Sequence, residues 1–272
     1  MKITKNMLGC IKGLRDPRDY LVKSFFTMVA VPASLDLTDK MTPVRSQGNE
    51  GSCVGFAAVT GVKEFQEQKE HDKFIELSPR YVYEGAKILS SHSEGTTLIA
   101  AMKILKSCGV CQERFWPYIA RDKGSLKKGG HENAAKYRIK SYARITSIDE
   151  LKESLCDPNI GAVMIGVKVY DGMMSEDCRK TGIVSDPTCW ERMNVRGGHA
   201  LTICSYDDNS PYFNDGHFKV KNSWGAYGDK GYLYLSYKYM KANLMDSYAA
   251  IDVVDENVKI QRLGGNPEWK RV

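Results

Sequence analysis

The sequence predicts an α+β fold, with a helical first half and a β-rich second half. Three observations predict it. Helical spacing with recognisable caps dominates residues 53 to 156, and period-two alternation dominates from 162 onward. Hydrophobic residues make up 42% and charged residues 26%, which is the composition of a soluble globular chain able to bury a core. The 272 residues suit one large domain or two small ones, and no internal repeat or low-complexity tract occurs. The net charge is +6, but the basic residues are scattered with no block of like charge, so no nucleic-acid partner is expected. The longest apolar candidate, residues 25 to 31, falls short of the roughly 18 to 20 that a membrane span needs, so no membrane association is expected. That run is also a poor secretory core, and the expected location is cytoplasmic or reached by non-classical release.

Residues 1 to 31 lack clean periodicity and read as an N-terminal arm, a possible short pro-segment, ahead of a domain over 32 to 272. Its helical half is expected over about 32 to 140, its β-rich half over about 141 to 255, and a solvated basic tail over 256 to 272. A helix whose front half is buried should run from Cys53 to about Lys69, because Val54, Phe56, Ala57, Val59, Val62 and Phe65 precede its charged end. Ser78 followed by Pro79 caps a second helix reaching about Leu89. A third should run from about Thr97 to Lys106 and stop at Cys108-Gly109. Ser147 with Glu150 forms a capping box for a fourth, ending at Cys156. Strands are expected at 162 to 169, 200 to 206, 217 to 221, 232 to 237 and 248 to 253, with turns rich in Gly and Asp between them.

The most informative stretch for chemistry is Gln47-Gly48-Asn49-Glu50-Gly51-Ser52-Cys53. A glycine-rich loop delivers a cysteine to the first turn of a long helix, where the helix dipole and unpaired N–H groups favour thiolate. The Gln47 amide and the Cys53 N–H can supply the two donors that a tetrahedral oxyanion requires. An isolated buried cysteine most often packs as a small hydrophobe, so the context decides. Gly197-Gly198-His199 places a histidine at the start of an apolar strand, and Asn222-Ser223-Trp224-Gly225 ends another with an amide able to orient an imidazole and a ring able to shield it. Nucleophile, base and orienting group therefore occur in order along the chain.

These motifs resemble the papain and cathepsin family of cysteine peptidases, in particular prokaryotic or phage-type members with a short N-terminal segment. His199 lies 146 residues and Asn222 169 residues beyond Cys53, against the roughly 130 to 150 of that family. The likeness extends over about 32 to 253 through Leu77-Ser78-Pro79, Trp116-Pro117-Tyr118 and Gly228 with Gly231-Tyr232. It implies a papain-like two-subdomain fold, helical beside β-barrel-like, with a cleft between. It implies peptide-bond hydrolysis through a thioester on peptide or protein substrates without a cofactor. Catalytic roles would fall to Cys53, His199, Asn222 and Gln47, and Gly95, Ala200 and Trp224 would contact substrate. The alternatives are a thiol acyltransferase or amidase using the same pair, and a catalytically silent binding module.

Departures from the family matter too. Glu50 stands where secretory members carry a disulfide cysteine, Val54 replaces an aromatic residue, and Gly198 precedes the histidine. With no export signal, the eight cysteines are expected to be reduced. Cys108 and Cys111 have knuckle spacing but no second ligand pair at suitable spacing, so no metal is expected. The arm is too short to bury a core of its own and must lie on the body if ordered. The cleft is the expected place for it, as an intramolecular inhibitor whose release requires cleavage or displacement near residues 30 to 32.

Overall fold

The computed structural model describes residues 3–14, 21 and 30–251. The middle of the arm and the expected tail lie outside the described residues. The helical half begins with a nearly continuous helix in three parts: α1 over Cys53–Phe56, a π-helical segment over Ala57–Lys63, and α2 over Glu64–His71. Helix α3 (Pro79–Ser90) starts as the sequence dictates, since the Ser78 side chain accepts the Tyr81 N–H and Pro79 needs no partner. Strand β3 (Thr96–Thr97) leads into α4 (Leu98–Ser107), capped by Thr97, and Gly109 follows with a left-handed φ of 79°.

The second half is a single antiparallel sheet. Its strands are β4 (Ser141–Arg144), β5 (Val163–Val169), β6 (Gly197–Asp207), β7 (His217–Lys221), β8 (Tyr232–Ser236) and β9 (Leu244–Ile251), in the order β4-β9-β5-β6-β7-β8. The short strand β2 (Ser34–Asp36) pairs with the end of β6, beyond the point where β5 leaves it. Strands β4 and β8 do not pair with each other, so the half expected to be barrel-like is an open sheet. Helix α6 (Ile148–Cys156) uses its Ser147 cap as expected, although the Glu150 carboxylate turns to the Thr146 N–H.

Several elements differ from the sequence reading. Helices α5 (Gly130–Ala134) and α7 (Glu176–Thr181) are too short to leave a periodic signal. The alternation expected to carry a strand to Tyr237 ends at Ser236, whose hydroxyl accepts the Tyr239 N–H and starts α8 (Tyr237–Asn243). The last strand begins four residues before the expected position, at Leu244.

Each half has its own apolar cluster, and the two meet along the π-helical segment. There Gly61 lies so close to β6 that a Cβ would stand 1.8 Å from Thr202 Oγ1. The Thr202 hydroxyl donates to Ala57 O at 3.1 Å, and Lys221 Nζ donates to Thr60 O at 2.7 Å. Residues 3–14 bridge the halves from outside. Met7 is buried in the cluster under the sheet, whereas Cys10 belongs to the helical cluster and its strand β1 (Cys10–Ile11) runs parallel to β3.

Candidate active site

The turn before α1 brings Gln47 and Cys53 together with β6 and β7. The Gln47 N–H donates to Ser223 O at 2.8 Å, and its Oε1 accepts the Ser223 hydroxyl at 2.6 Å. This fixes which way the amide points. One Nε2 hydrogen goes to Glu50 O at 2.6 Å, and the other reaches Met7 O at 3.0 Å. Ser223 was not singled out from the sequence, although its place between Asn222 and Trp224 was the available signal.

His199 is the third residue of β6 and is fully buried. Its Nε2 lies 2.9 Å from Asn222 Oδ1, which also accepts the Ser223 N–H at 2.8 Å. A backbone N–H can only donate, so Oδ1 is the acceptor and Nε2 carries the proton. The lone pair therefore sits on Nδ1, which is buried with no partner among the described residues. Trp224 is 2% exposed and stacks on the imidazole at 4.3 Å between ring centroids. That position shields the His199–Asn222 bond from water. Ala200, also buried, turns its N–H to the Cys53 sulfur.

Cys53 is completely buried, and burial pushes its thiol above the ordinary range, partly offset by the N–H groups of Ala200, Gly9 and Val54. The same dehydration pulls His199 down to about 4, against the opposing hydrogen bond to Asn222. Both shifts favour the neutral thiol and imidazole, against the thiolate expected at the helix start, because burial outweighs the N–H groups around the sulfur.

The backbone of residues 8–10 packs closely around this site. Gly9 O accepts the Thr96 N–H at 2.9 Å, and a Cβ on Gly95 would lie 2.7 Å from that oxygen. A Cβ on Gly9 itself would stand 1.8 Å from Gly51 O, and one on Gly198 would stand 2.1 Å from Cys10 O. Glycines on both chains permit this approach. A Cβ on Gly166 would lie 2.7 Å from Cys10 Sγ. The expected substrate contact Gly95 thus faces arm backbone.

A helical half set against an antiparallel sheet, with a cysteine heading a helix beside a buried His–Asn pair, has the layout of a thiol peptidase. The description of the papain family cysteine protease matches residues 31–252, and the chain belongs to that family. An uncharacterized peptidase C1-like protein of Acanthamoeba polyphaga mimivirus is 29% identical over 247 residues, 85% of this chain and 74% of that one. Peptidase 1 of Euroglyphus maynei is 27% identical over 214 residues, 76% of this chain and 62% of its own length. The crystal structure of xylellain, a cysteine protease from Xylella fastidiosa, superposes with a TM-score of 0.78 at 24% identity, covering 93% of this chain and 98% of that one. At that identity the likeness is one of fold. Among the described residues no helix is long and apolar enough to cross a membrane.

Proposed function

We propose that the chain is a cysteine endopeptidase held inactive by its own first residues, with 1–31 as the arm and 32–272 as the peptidase domain. Cys53 is the nucleophile, His199 the general base and acid, Asn222 the group that orients the imidazole, and Gln47 with the Cys53 N–H the oxyanion donors. The observation that carries this reading is the Met7 carbonyl on Gln47 Nε2 at 3.0 Å. An amide hydrogen aimed at a peptide carbonyl of the arm is placed to hold the carbonyl oxygen of a substrate once the arm leaves.

When the arm is displaced, water and substrate replace it and the proton passes from Cys53 to His199 Nδ1. The thiolate attacks the carbonyl carbon, and the oxygen develops its charge between Gln47 Nε2 and the Cys53 N–H. His199 gives the Nδ1 proton to the leaving amine, which leaves a thioester. A water molecule then loses a proton to Nδ1 and attacks the thioester carbonyl, and the acid product departs as Cys53 is restored. The tether supplies the arm at high effective concentration, so modest contacts suffice to hold it.

The test compares hydrolysis of a small peptide ester by residues 1–272 and by residues 32–272 at equal active-site titre. A faster truncated form is expected. Equal rates would leave the arm as a structural strap.

A further inference from the structure

The loop from Gln47 to Cys53 is gripped from the side away from the sheet by a buried cluster that the reaction itself does not use. Glu50, at the centre of the loop, is 8% exposed. Its carboxylate takes a two-pronged bond from Arg80, Nη1 to Oε1 at 2.6 Å and Nη2 to Oε2 at 2.7 Å. The Arg121 N–H adds a third bond to Oε2 at 2.9 Å and the Tyr118 hydroxyl lies 3.0 Å from the same oxygen. Arg80 projects from α3, is 1% exposed, and lies with its guanidinium 4.6 Å from the centre of the Tyr118 ring. Nη1 also reaches Glu84 Oε1 at 3.1 Å, and Nη2 reaches Ile119 O at 2.7 Å. The Tyr118 hydroxyl lies 2.7 Å from Gln47 O and 2.6 Å from Ser52 Oγ.

These contacts reach every part of the loop that matters. Gln47 is held by its own carbonyl and, through Nε2, by the Glu50 carbonyl; Ser52 is held just before the nucleophile. Burial alone would raise the Glu50 carboxyl, but Arg80, the Arg121 N–H and Tyr118 outweigh it and hold the group below its ordinary range. A buried carboxylate kept ionised by a planar fork is fixed in direction as well as in charge, and a lysine cannot reproduce that geometry.

We infer that Arg80 is a positioning residue for this peptidase, and that its fork on Glu50, with Tyr118 beneath it, sets the loop so that Gln47 Nε2 and the Cys53 N–H converge on one oxyanion. The inference rests on the roles proposed above for Gln47 and Cys53. It requires a selective defect. Amide hydrolysis passes through an oxyanion, whereas alkylation of Cys53 by iodoacetamide forms a sulfur–carbon bond as iodide leaves and involves no oxyanion. Alkylation still depends on the Cys–His pair and on arm release, so it reports both independently of the oxyanion donors.

The test uses the full chain with Arg80→Lys, Tyr118→Phe and the double change Glu50→Gln with Arg80→Met, which leaves no unpaired buried charge. Steady-state kcat and KM on a peptide amide are measured per titrated active site, alongside the alkylation rate at the Cys53 peptide. Arg80→Lys and the double variant are expected to lower kcat roughly tenfold or more, on the scale of a misplaced oxyanion donor, with KM and alkylation within about twofold. Tyr118→Phe should show a smaller loss of the same kind. Should Arg80→Lys fail to fold, the double variant decides. Unchanged kcat overturns the inference, and so does a parallel fall of kcat and alkylation. A Cys53→Ala chain that still hydrolyses the amide overturns the earlier reading of the nucleophile instead.

Discussion

Gly9 crosses Gly51 with no space between their backbones, so that a Cβ on Gly9 would meet Gly51 O at 1.8 Å. The overlap is with a main-chain carbonyl and cannot be relieved by a rotamer change. Overpacking of this kind costs about 1–3 kcal/mol, which shifts arm occupancy roughly five- to 150-fold. Gly9→Ala is therefore expected to bring the peptide-ester activity of the full chain towards that of residues 32–272. A full-chain variant as slow as the parent would show that the arm does not control access.

Cys53→Ala should abolish peptide hydrolysis and leave stability within about 1 kcal/mol, because a single sulfur atom contributes little to packing. Kinetics and thermal unfolding on one preparation check both halves of the expectation. Residual turnover well above background would move the nucleophile elsewhere.

Asn222→Ala removes the acceptor for His199 Nε2 but leaves Nδ1 and the Trp224 stack in place. Activity should fall by less than the roughly 10²- to 10⁴-fold that positioned acid–base groups contribute. An unchanged kcat/KM would place the orienting role on another residue.

The pH dependence of stability has a defined sign. His199 titrates at about 4 in the folded chain, against about 6.5 when unfolded. The unfolded chain therefore binds the extra proton first, so His199 adds stability above about pH 6.5 that is lost as pH falls towards 4. The span corresponds to about 3 kcal/mol. Burial lowers His131 and His217 as well, so the measurement is the difference between parent and His199→Gln. A steeper acid loss in the parent is expected, and parallel curves would contradict it.

All eight cysteines are free thiols in the structure. Thermal unfolding should therefore be the same with and without mild reductant, and a drop in Tm on reduction would reveal a stabilising disulfide.

The parts of the fold legible in the sequence are those with local causes. Ser78, Thr97 and Ser147 start helices through bonds three residues ahead, and the long β5 and β6 announce themselves by buried apolar runs. Gln47, Cys53, His199 and Asn222 stand out because glycines, a helix start and strand ends surround them. What could not be read rests on contacts between distant backbones. Met7 O meets Gln47 Nε2 across 40 residues, and a main-chain carbonyl leaves no pattern in a sequence. The Glu50–Arg80 pair was similarly invisible, since each residue alone reads as a solvated charge. Helix α8 was not anticipated, because the strand-like alternation over 232 to 237 runs up to its first residue.

The widened helical turn at Ala57–Lys63 leaves carbonyl oxygens facing the sheet, and Lys221 fills one of them from the position immediately before Asn222. Lys221, the last residue of β7, is thus locked into the helix that begins with Cys53, and Asn222 just beyond it is aimed at the imidazole. Sliding of one half past the other would pull Lys221 from Thr60 and Thr42 and strike Gly61 against Thr202. The two halves are consequently pinned at this seam by polar bonds as well as by apolar packing.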